Sequence, residues 1–131
     1  MYSDNVKAFV ERNIALIDRN EIDKLIALTM TYDKDENFLT NDEVIDLYAL
    51  LKEIGIEVTR KIIDPILLEK LALGLDVFFD NNETANTLWF IRHYFDSTLG
   101  ISNTNVREFM LAHMEELNIA ITHDGYLVRG I

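Results

Sequence analysis

Hydrophobic residues recur every three to four positions along most of this chain, a spacing that places them on one face of an α-helix. Two such stripes occupy residues 6–17 and 22–30. Ser3 or Asp4 is suited to cap the first helix, and Asn20 is suited to cap the second. The spacing therefore predicts one helix for each stripe.

The strongest helix prediction covers residues 44–54. This stripe follows Thr40-Asn41-Asp42-Glu43, a capping box in which the threonine hydroxyl and the glutamate carboxylate satisfy helix-terminal amides reciprocally. Gly55 comes directly after the stripe, and glycine suits the left-handed residue that ends many helices. Both ends of this helix are thus marked in the sequence.

The second half of the chain carries three further helical patterns. The first begins at Asp64-Pro65, because aspartate caps a helix and proline is accepted at the first helical position. A very apolar pattern covers residues 83–99 and stops at Gly100. The last covers residues 103–117. The spacing predicts a helix for each of them.

Three segments of this half carry other patterns. Residues 56–63 fit either a short strand or the first turn of a helix, and residues 80–82 are predicted to form a loop. Hydrophobic and polar residues alternate on both sides of Asp124-Gly125, which predicts a β-hairpin over residues 118–130. A two-residue Asp-Gly turn requires positive φ at both positions.

These patterns predict a mainly α protein, a compact helical domain of five to six helices with a C-terminal β-hairpin. No internal repeat and no linker rich in Pro, Gly or Ser divides the chain. We therefore expect one compact domain over residues 1–131. A subdivision into residues 1–55 and 64–131 is the alternative.

Composition narrows the class of protein. The chain has 131 residues, of which 49% are hydrophobic and 27% charged, so it is neither disordered nor of low complexity. It has no cysteine, which excludes disulfides and cysteine-ligated zinc. No apolar run reaches the roughly 18 residues of a membrane span, and no secretory signal pattern is present. We expect a cytoplasmic protein that does not enter a membrane.

The net charge is −11, and the negative charge is spread along the chain. One stretch is denser than the rest, and Lys34 is the only base that interrupts it. Such a surface repels phosphate backbones and attracts basic proteins or cations. Either the stretch is only a solvated, solubilising face or it binds a partner. The candidate partner-binding carboxylates are those of Asp33, Asp35, Glu36, Asp42, Glu43 and Asp46.

The C-terminal half resembles a winged helix-turn-helix over about residues 64–131. The resemblance rests on the turn Leu99-Gly100-Ile101-Ser102, on apolar residues at helical spacing after it, and on the terminal hairpin. In that family the second helix of the pair enters the DNA major groove, and the hairpin wing contacts the backbone or the minor groove. The resemblance implies a groove-facing side made of Asn103, Thr104, Asn105, Arg107, Glu108 and Leu111, with Tyr126 and Arg129 on the wing.

The charge of this half departs from the pattern of a DNA-binding protein. Such proteins collect lysine and arginine on the second helix and the wing to neutralise phosphates. Residues 83–131 contain three arginines, no lysine and six acids. The resemblance therefore implies the fold more strongly than it implies DNA binding.

Residues 33–43 resemble an EF-hand calcium loop, since acids or asparagine occupy its first, third and fifth positions. Such loops also need a glycine at the sixth position and a bidentate glutamate at the twelfth. Here Phe38 occupies the sixth position and Val44 the twelfth, so the bidentate ligand is missing. We expect no metal site and no cofactor, and a degenerate calcium-binding module stays as an alternative.

Catalytic arrangements are not evident. The histidines at positions 93, 113 and 123 lie on separate elements, and neither a glycine-rich phosphate loop nor a nucleophile elbow occurs. We therefore expect a protein that is not an enzyme. The apolar run from Leu88 to Ile91 spans more than one helix face, so at least one large side chain is expected to point away from the core.

Taken together, these features predict an acidic interaction or inhibitor protein that occupies a basic nucleic-acid-binding surface on a partner protein. In size and charge it is similar to the DNA-mimic, anti-restriction and anti-CRISPR proteins of phages. The alternative is a winged-helix transcriptional regulator that binds DNA as a dimer through Asn103, Asn105, Arg107 and Arg129. Under that alternative, a second copy of the chain is also a partner.

Overall fold

The computed structural model describes residues 2–29, 36–94 and 99–130, and it is mainly helical, as the sequence predicts. The described part contains eight helices and a three-stranded antiparallel sheet, which includes the predicted C-terminal hairpin. The elements are α1 (Asp4–Arg12), α2 (Ile14–Asp18), α3 (Ile22–Leu28), α4 (Asn41–Glu53), α5 (Arg60–Asn81), β1 (Ala85–Asn86), α6 (Thr87–Tyr94), α7 (Asn103–Ala112), α8 (Met114–Leu117), β2 (Ile119–Ile121) and β3 (Tyr126–Arg129).

Two of the predicted helices are each divided into two. The break between α1 and α2 lies at Asn13, whose side-chain amide donates a 2.9 Å hydrogen bond to the carbonyl of Phe9. The break between α7 and α8 lies at His113, whose Nδ1 is 2.8 Å from the carbonyl of Phe109. In both places a side chain occupies a carbonyl one turn back and competes with the helical hydrogen bonds. The described part of the chain therefore contains eight helices, whereas the sequence predicts five or six.

Helix α5 begins at Arg60, so the predicted start at Asp64-Pro65 is wrong. The ambiguous segment before it is helical at its end, where the amides of Ile62 and Ile63 bond to the carbonyl of Thr59 at 3.0 and 3.1 Å. Proline lacks an amide hydrogen and disfavours helix before it. Burial of Ile63 outweighs this local preference.

The predicted loop at residues 80–82 begins later than expected, because α5 continues to Asn81. The side-chain amide of Asn81 donates to the carbonyl of Val77 at 3.0 Å, and that of Asn82 donates to the carbonyl of Phe78 at 3.1 Å. Each of these side chains reaches back one turn along the end of the helix. Asp80 and Asn81 of the predicted loop therefore belong to the helix, and Asn82 is its C-terminal cap.

The predicted helix over residues 83–99 begins only at Thr87, because Ala85 and Asn86 form strand β1. This strand pairs antiparallel with β3, so the strand order in the sheet is β1-β3-β2. The Thr87 hydroxyl and amide both donate to the carbonyl of Gly125, at 2.8 and 2.9 Å. The hairpin tip is thereby held against the start of α6.

The hairpin loop has three residues, not the two-residue Asp-Gly turn that was predicted. The amide of Gly125 donates to the carbonyl of Thr122, and the amide of Thr122 donates to that of Tyr126, both at 2.8 Å. Gly125 has φ of +85°, whereas Asp124 does not have positive φ. This is the turn-plus-bulge connection that follows two-residue turns in frequency among hairpins.

The core joins both parts of the chain. Its largest fully buried side chains include Phe9, Leu47, Leu67, Phe78 and Phe90, which come from α1, α4, α5 and α6. Helix α3 packs against α5, and α4 packs against α1. Among the described residues, no helix is both long and apolar enough to span a membrane.

Candidate interaction surface

The N-terminus of α4 is built as the sequence predicts. The Thr40 hydroxyl accepts a hydrogen bond from the Glu43 amide at 3.3 Å, and the Glu43 carboxylate accepts one from the Thr40 amide at 3.1 Å. The Ser3 hydroxyl also donates to this carboxylate at 3.2 Å, which joins α1 to α4. Glu43 is half-buried and its carboxylate is engaged by these bonds, although it is one of the predicted partner-binding residues.

The hydrogen bonds change the acidity of Glu43. Partial burial raises the pKa of its carboxyl, but hydrogen bonds from Thr40, Asn5 and Ser3 lower it, and the net pKa lies below its ordinary value. The carboxylate thus stays ionised at the positive end of the α4 dipole. Its position and its partners give it a structural task at the helix cap.

Three other carboxylates form a stripe along the outer side of α4. Asp42 and Asp46 are four residues apart, and Glu53 follows seven residues later, so all three lie within a narrow sector of the helix. Asp42 and Glu53 are exposed, and Asp46 is half-buried. Within the described part of the chain no lysine or arginine pairs with any of them. We call Asp42, Asp46 and Glu53 the α4 stripe.

The α4 stripe and the predicted partner-binding residues share only Asp42 and Asp46. Glu53, which was not among the predicted residues, accepts a 2.7 Å hydrogen bond from the Tyr2 hydroxyl. Its spacing from Asp46 is visible in the sequence and could have identified it. Asp33 and Asp35 lie outside the described residues. Glu36 is exposed, and its carbonyl accepts a hydrogen bond from the Arg12 guanidinium.

The turn before α7 docks onto the flank of α4 that adjoins the α4 stripe. The Tyr48 hydroxyl donates a 2.8 Å hydrogen bond to the carbonyl of Leu99. The amide of Gly100 lies 3.5 Å from the Asn41 side-chain oxygen. A β-carbon on Gly100 would meet Ile45 at 3.2 Å and Tyr48 at 3.3 Å, so a side chain would crowd the contact. The structure thereby holds the beginning of α7 beside the beginning of α4.

This docking brings the two predicted surfaces close together. Asn103 and Asn105 form the first turn of α7, and Ser102 caps it by accepting from the Asn105 amide at 3.2 Å. Asn41, which contacts the turn, directly precedes Asp42 of the α4 stripe. A phosphate backbone that approached this end of α7 would therefore meet carboxylates of α4.

Arg107 is the only base on α7, and it is partly withdrawn from solvent. Its guanidinium is 3.7 Å from the carboxylate of the neighbouring Glu108. Its Nε atom is buried and makes no hydrogen bond within the described part of the chain. The Arg107 side chain as a whole is 38% exposed.

Arg129, the base predicted for the wing, is engaged elsewhere. Its guanidinium is 3.1 Å from the Asp76 carboxylate of α5 and lies over the Phe79 ring, 4.6 Å from the ring centre. Arg129 is the last residue of β3 and lies at the far end of the hairpin from its tip. The tip itself carries His123 and Asp124, and it is followed by the exposed Tyr126.

Helix α6 exposes an aromatic side chain in the run from Leu88 to Ile91, where the sequence predicts that at least one large side chain points away from the core. Trp89 is 40% exposed, whereas Phe90 and Ile91 are buried. The Trp89 ring stacks on that of His93 with 4.4 Å between ring centres. The identity of the outward residue depends on how α6 packs against Phe78, which the sequence pattern does not encode.

The remaining groove-facing candidates carry no charge that would attract DNA. Thr104 and Leu111 are exposed on α7, and Glu108 is acidic. Among the described residues no group of histidine, aspartate or glutamate side chains is arranged to hold a metal ion. The first three positions of the calcium-like loop lie outside those residues, and Glu43 is occupied by the capping box.

Comparisons of this chain with protein-family models, with curated proteins and with solved structures each found no match.

Proposed function

We propose that this protein acts by binding a basic surface of another protein, where it takes the place of a nucleic acid. The observation that carries the proposal is the α4 stripe, because Asp42, Asp46 and Glu53 are aligned and no base of the described chain neutralises them. Carboxylates at fixed positions on a helix present negative charge in a row, as a phosphate backbone does.

The C-terminal half supports the proposal as a scaffold. The order α5-β1-α6-α7-α8-β2-β3 and the strand order β1-β3-β2 are the features that support this part of the proposal. We propose that this half is a winged helix whose DNA-facing side has lost the charge needed for DNA. Arg129 is paired with Asp76, and α7 begins beside the acidic start of α4.

Protein capture with matched variants tests the proposal. Three baits are compared, and the first is the unchanged full chain. The second, the α4 variant, carries Asp42→Asn, Asp46→Asn and Glu53→Gln. The third, the α5 variant, carries Glu69→Gln, Asp80→Asn and Glu83→Gln. The last three acids are exposed on α5 and just after it, so both variants change the net charge equally. Nuclease-treated extract excludes bridging by nucleic acid.

The expected result is a protein that the unchanged chain and the α5 variant capture and the α4 variant does not, and that duplex DNA releases. Since each exposed ion pair contributes about 0.5 kcal/mol, loss of three weakens binding about tenfold. Equal capture by all three baits, or capture that DNA does not disturb, would contradict the proposal.

DNA binding is the second candidate function, and Arg107 is the observation that favours it. Its side chain is partly exposed on α7, and arginine is the commonest residue to contact guanine in the major groove. Fluorescence anisotropy of a labelled random duplex at about 50 mM salt tests this candidate. Salt-sensitive binding that Arg107→Ala weakens would support it, and an unchanged anisotropy would exclude it.

A further inference from the structure

Strand β2 forms one edge of the sheet. The strand order is β1-β3-β2, so β2 pairs with β3 on one side only. Within the described part of the chain, the preceding helix α8 is the one other element that packs extensively against it. An edge strand presents a row of amide and carbonyl groups to which a further strand can bond.

The bonds at the two ends of β2 identify the groups on its open side. The Asn118 carbonyl and the Thr122 amide each bond to the main chain of the residue that faces them across the hairpin, at 2.8 Å. Along an antiparallel strand, residues alternate between bonding their neighbour and pointing away from it. The amides and carbonyls of Ile119 and Ile121 therefore point away from β3. None of these four groups makes a hydrogen bond within the described part of the chain.

Strand β2 has few of the features by which natural edge strands avoid pairing, which include charged side chains, prolines and bulges. Its sequence is Ile119-Ala120-Ile121, and no bulge interrupts its register with β3. Between Glu116 and Asp124 no acidic residue, lysine or arginine occurs. Its length of three residues is the feature that limits pairing.

The open side of β2 is complementary to itself. A two-fold axis at Ala120 places Ile119 of one copy opposite Ile121 of a second copy, and the reverse. Each open amide then faces an open carbonyl, so four hydrogen bonds form about the axis. Ala120 is exposed on the opposite face of the strand from the buried Ile119, and two alanines are small enough to meet across the axis. The half-buried Ile121 gains cover from Ile119 of the second copy.

We propose that two copies of this protein pair antiparallel through β2 and join their three-stranded sheets into one. A second copy is the partner that the pattern selects, because it leaves no open group of Ile119 or Ile121 unmatched. Each copy has a net charge of −11, and this uncharged edge lets two of them meet without placing charged side chains within the strand pair. The α4 stripe takes no part, so this inference is independent of the proposed function.

Sedimentation equilibrium of the full chain tests the pairing. A three-residue strand buries less surface than the roughly 1,200 Å² of a stable interface, so a reversible dimer with a dissociation constant of the order of 100 µM is expected. Raising the salt from about 50 mM to about 500 mM is expected to strengthen the dimer about threefold, because salt screens the repulsion between two acidic copies. A protein that stays monomeric up to about 1 mM, or a dimer that salt weakens, would overturn the inference.

Charge at residue 120 tests the position of the axis. Ala120→Glu is expected to weaken the dimer about fivefold, because it places two carboxylates opposite each other. Ala15→Glu is the matched control, since Ala15 is exposed on α2 and the substitution changes the net charge equally. The control is expected to change the dissociation constant by less than about twofold.

Mixing variants of opposite charge distinguishes pairing through this residue from damage to the fold. Ala120→Lys alone is expected to weaken the dimer as Ala120→Glu does, whereas an equimolar mixture of the two variants is expected to recover it. Equal effects of Ala120→Glu and Ala15→Glu, or a mixture that stays monomeric, would contradict the proposed pairing.

A single thiol gives an independent measurement, because the chain has no cysteine of its own. The α-carbons of directly facing residues that do not bond to each other in an antiparallel pair lie about 4.5 Å apart, within disulfide reach. Oxidised glutathione is therefore expected to convert Ala120→Cys to a covalent dimer and Ala15→Cys to a mixed disulfide with glutathione. Equal yields of covalent dimer from the two variants would show that β2 is not the contact between copies.

Discussion

The hydroxyl of Tyr48 on α4 donates a 2.8 Å hydrogen bond to the main-chain carbonyl of Leu99, fifty-one positions further along the chain. Leu99 is fully buried and has φ of +56°, a left-handed conformation that costs a non-glycine residue about 1–2 kcal/mol. Gly100 follows with φ of +76°. The contact with α4 therefore stabilises a strained turn and sets the position of α7.

Removal of this hydroxyl tests the contact. Tyr48→Phe is expected to lower the free energy of unfolding by about 1 kcal/mol, since the Leu99 carbonyl loses its donor in a partly buried place. Urea unfolding at neutral pH measures the change. Tyr2→Phe is the control, because the hydroxyl of Tyr2 is bonded to an exposed carboxylate. Equal effects of the two substitutions would contradict the structural role of Tyr48.

The same tyrosine predicts a dependence on alkaline pH. Burial raises the pKa of the Tyr48 hydroxyl well above its ordinary value. Its contribution to stability is complete below the unfolded pKa of about 10 and is lost as the pH rises from there toward the folded pKa. The unchanged protein should therefore lose more unfolding free energy above about pH 10 than Tyr48→Phe does. Parallel losses in the two proteins would contradict this.

Alanine substitutions at Gly55 and Gly100 distinguish the energetic cost of positive φ from that of steric crowding at the docked turn. Gly100→Ala places a methyl group 3.2 Å from Ile45 and at positive φ, whereas Gly55→Ala has positive φ and no atom within 4 Å. Gly55→Ala is expected to cost about 1 kcal/mol from backbone strain alone, and Gly100→Ala about 1–3 kcal/mol more from overpacking. Urea unfolding of both variants measures the difference. Equal losses of unfolding free energy in the two variants would contradict the prediction, because they would mean that Ile45 and Tyr48 move aside without an energetic cost.

We expect the Glu43 side chain to stabilise the fold. Glu43→Ala should cost about 1 kcal/mol, because it removes half of the capping box, whereas Asp42→Ala should cost only about 0.3 kcal/mol. The hydrogen bonds that lower the pKa of Glu43 stabilise the fold above the unfolded pKa of about 4.3, and this contribution is lost as the pH falls through the folded pKa. Urea unfolding at neutral and acidic pH measures both effects. A Glu43→Ala cost that does not shrink on acidification would contradict the assignment.

Arg129 is expected to stabilise the packing of β3 on α5. Arg129→Ala loses an exposed ion pair with Asp76 and the contact with the Phe79 ring, which together are worth about 1 kcal/mol. Asp76→Asn loses only the ion pair and should cost less. Thermal unfolding of both variants checks the order. An unchanged melting temperature for Arg129→Ala would return this residue to the candidates for DNA contact.

Features of the fold that depend on residues adjacent in the sequence could be predicted from the sequence. The capping box at Thr40 and Glu43, the left-handed Gly55 and the terminal hairpin each follow from the conformational preference of a few adjacent residues. Strand β1 could not be predicted, because two residues are too few to display a period. Its conformation comes from pairing with β3.

The features that sequence analysis misplaced depend on tertiary contacts. Arg60 begins α5 ahead of a proline because Ile63 is buried there, and a local rule does not include that burial. The pairing of Arg129 with Asp76 joins residues fifty-three positions apart. The predicted partner-binding residues include two members of the α4 stripe, Asp42 and Asp46. The contact between Glu43 and Ser3 joins residues forty positions apart, so the sequence alone does not reveal it.

The most direct measurement is competition between this protein and DNA for the captured partner. A labelled duplex is first bound to that partner at about 50 mM salt, and anisotropy is followed as this protein is added. Release of the duplex is expected, with about tenfold more of the Asp42→Asn, Asp46→Asn, Glu53→Gln variant required and no change for the matched α5 variant. A duplex that stays bound while this protein joins the complex would contradict the proposed function.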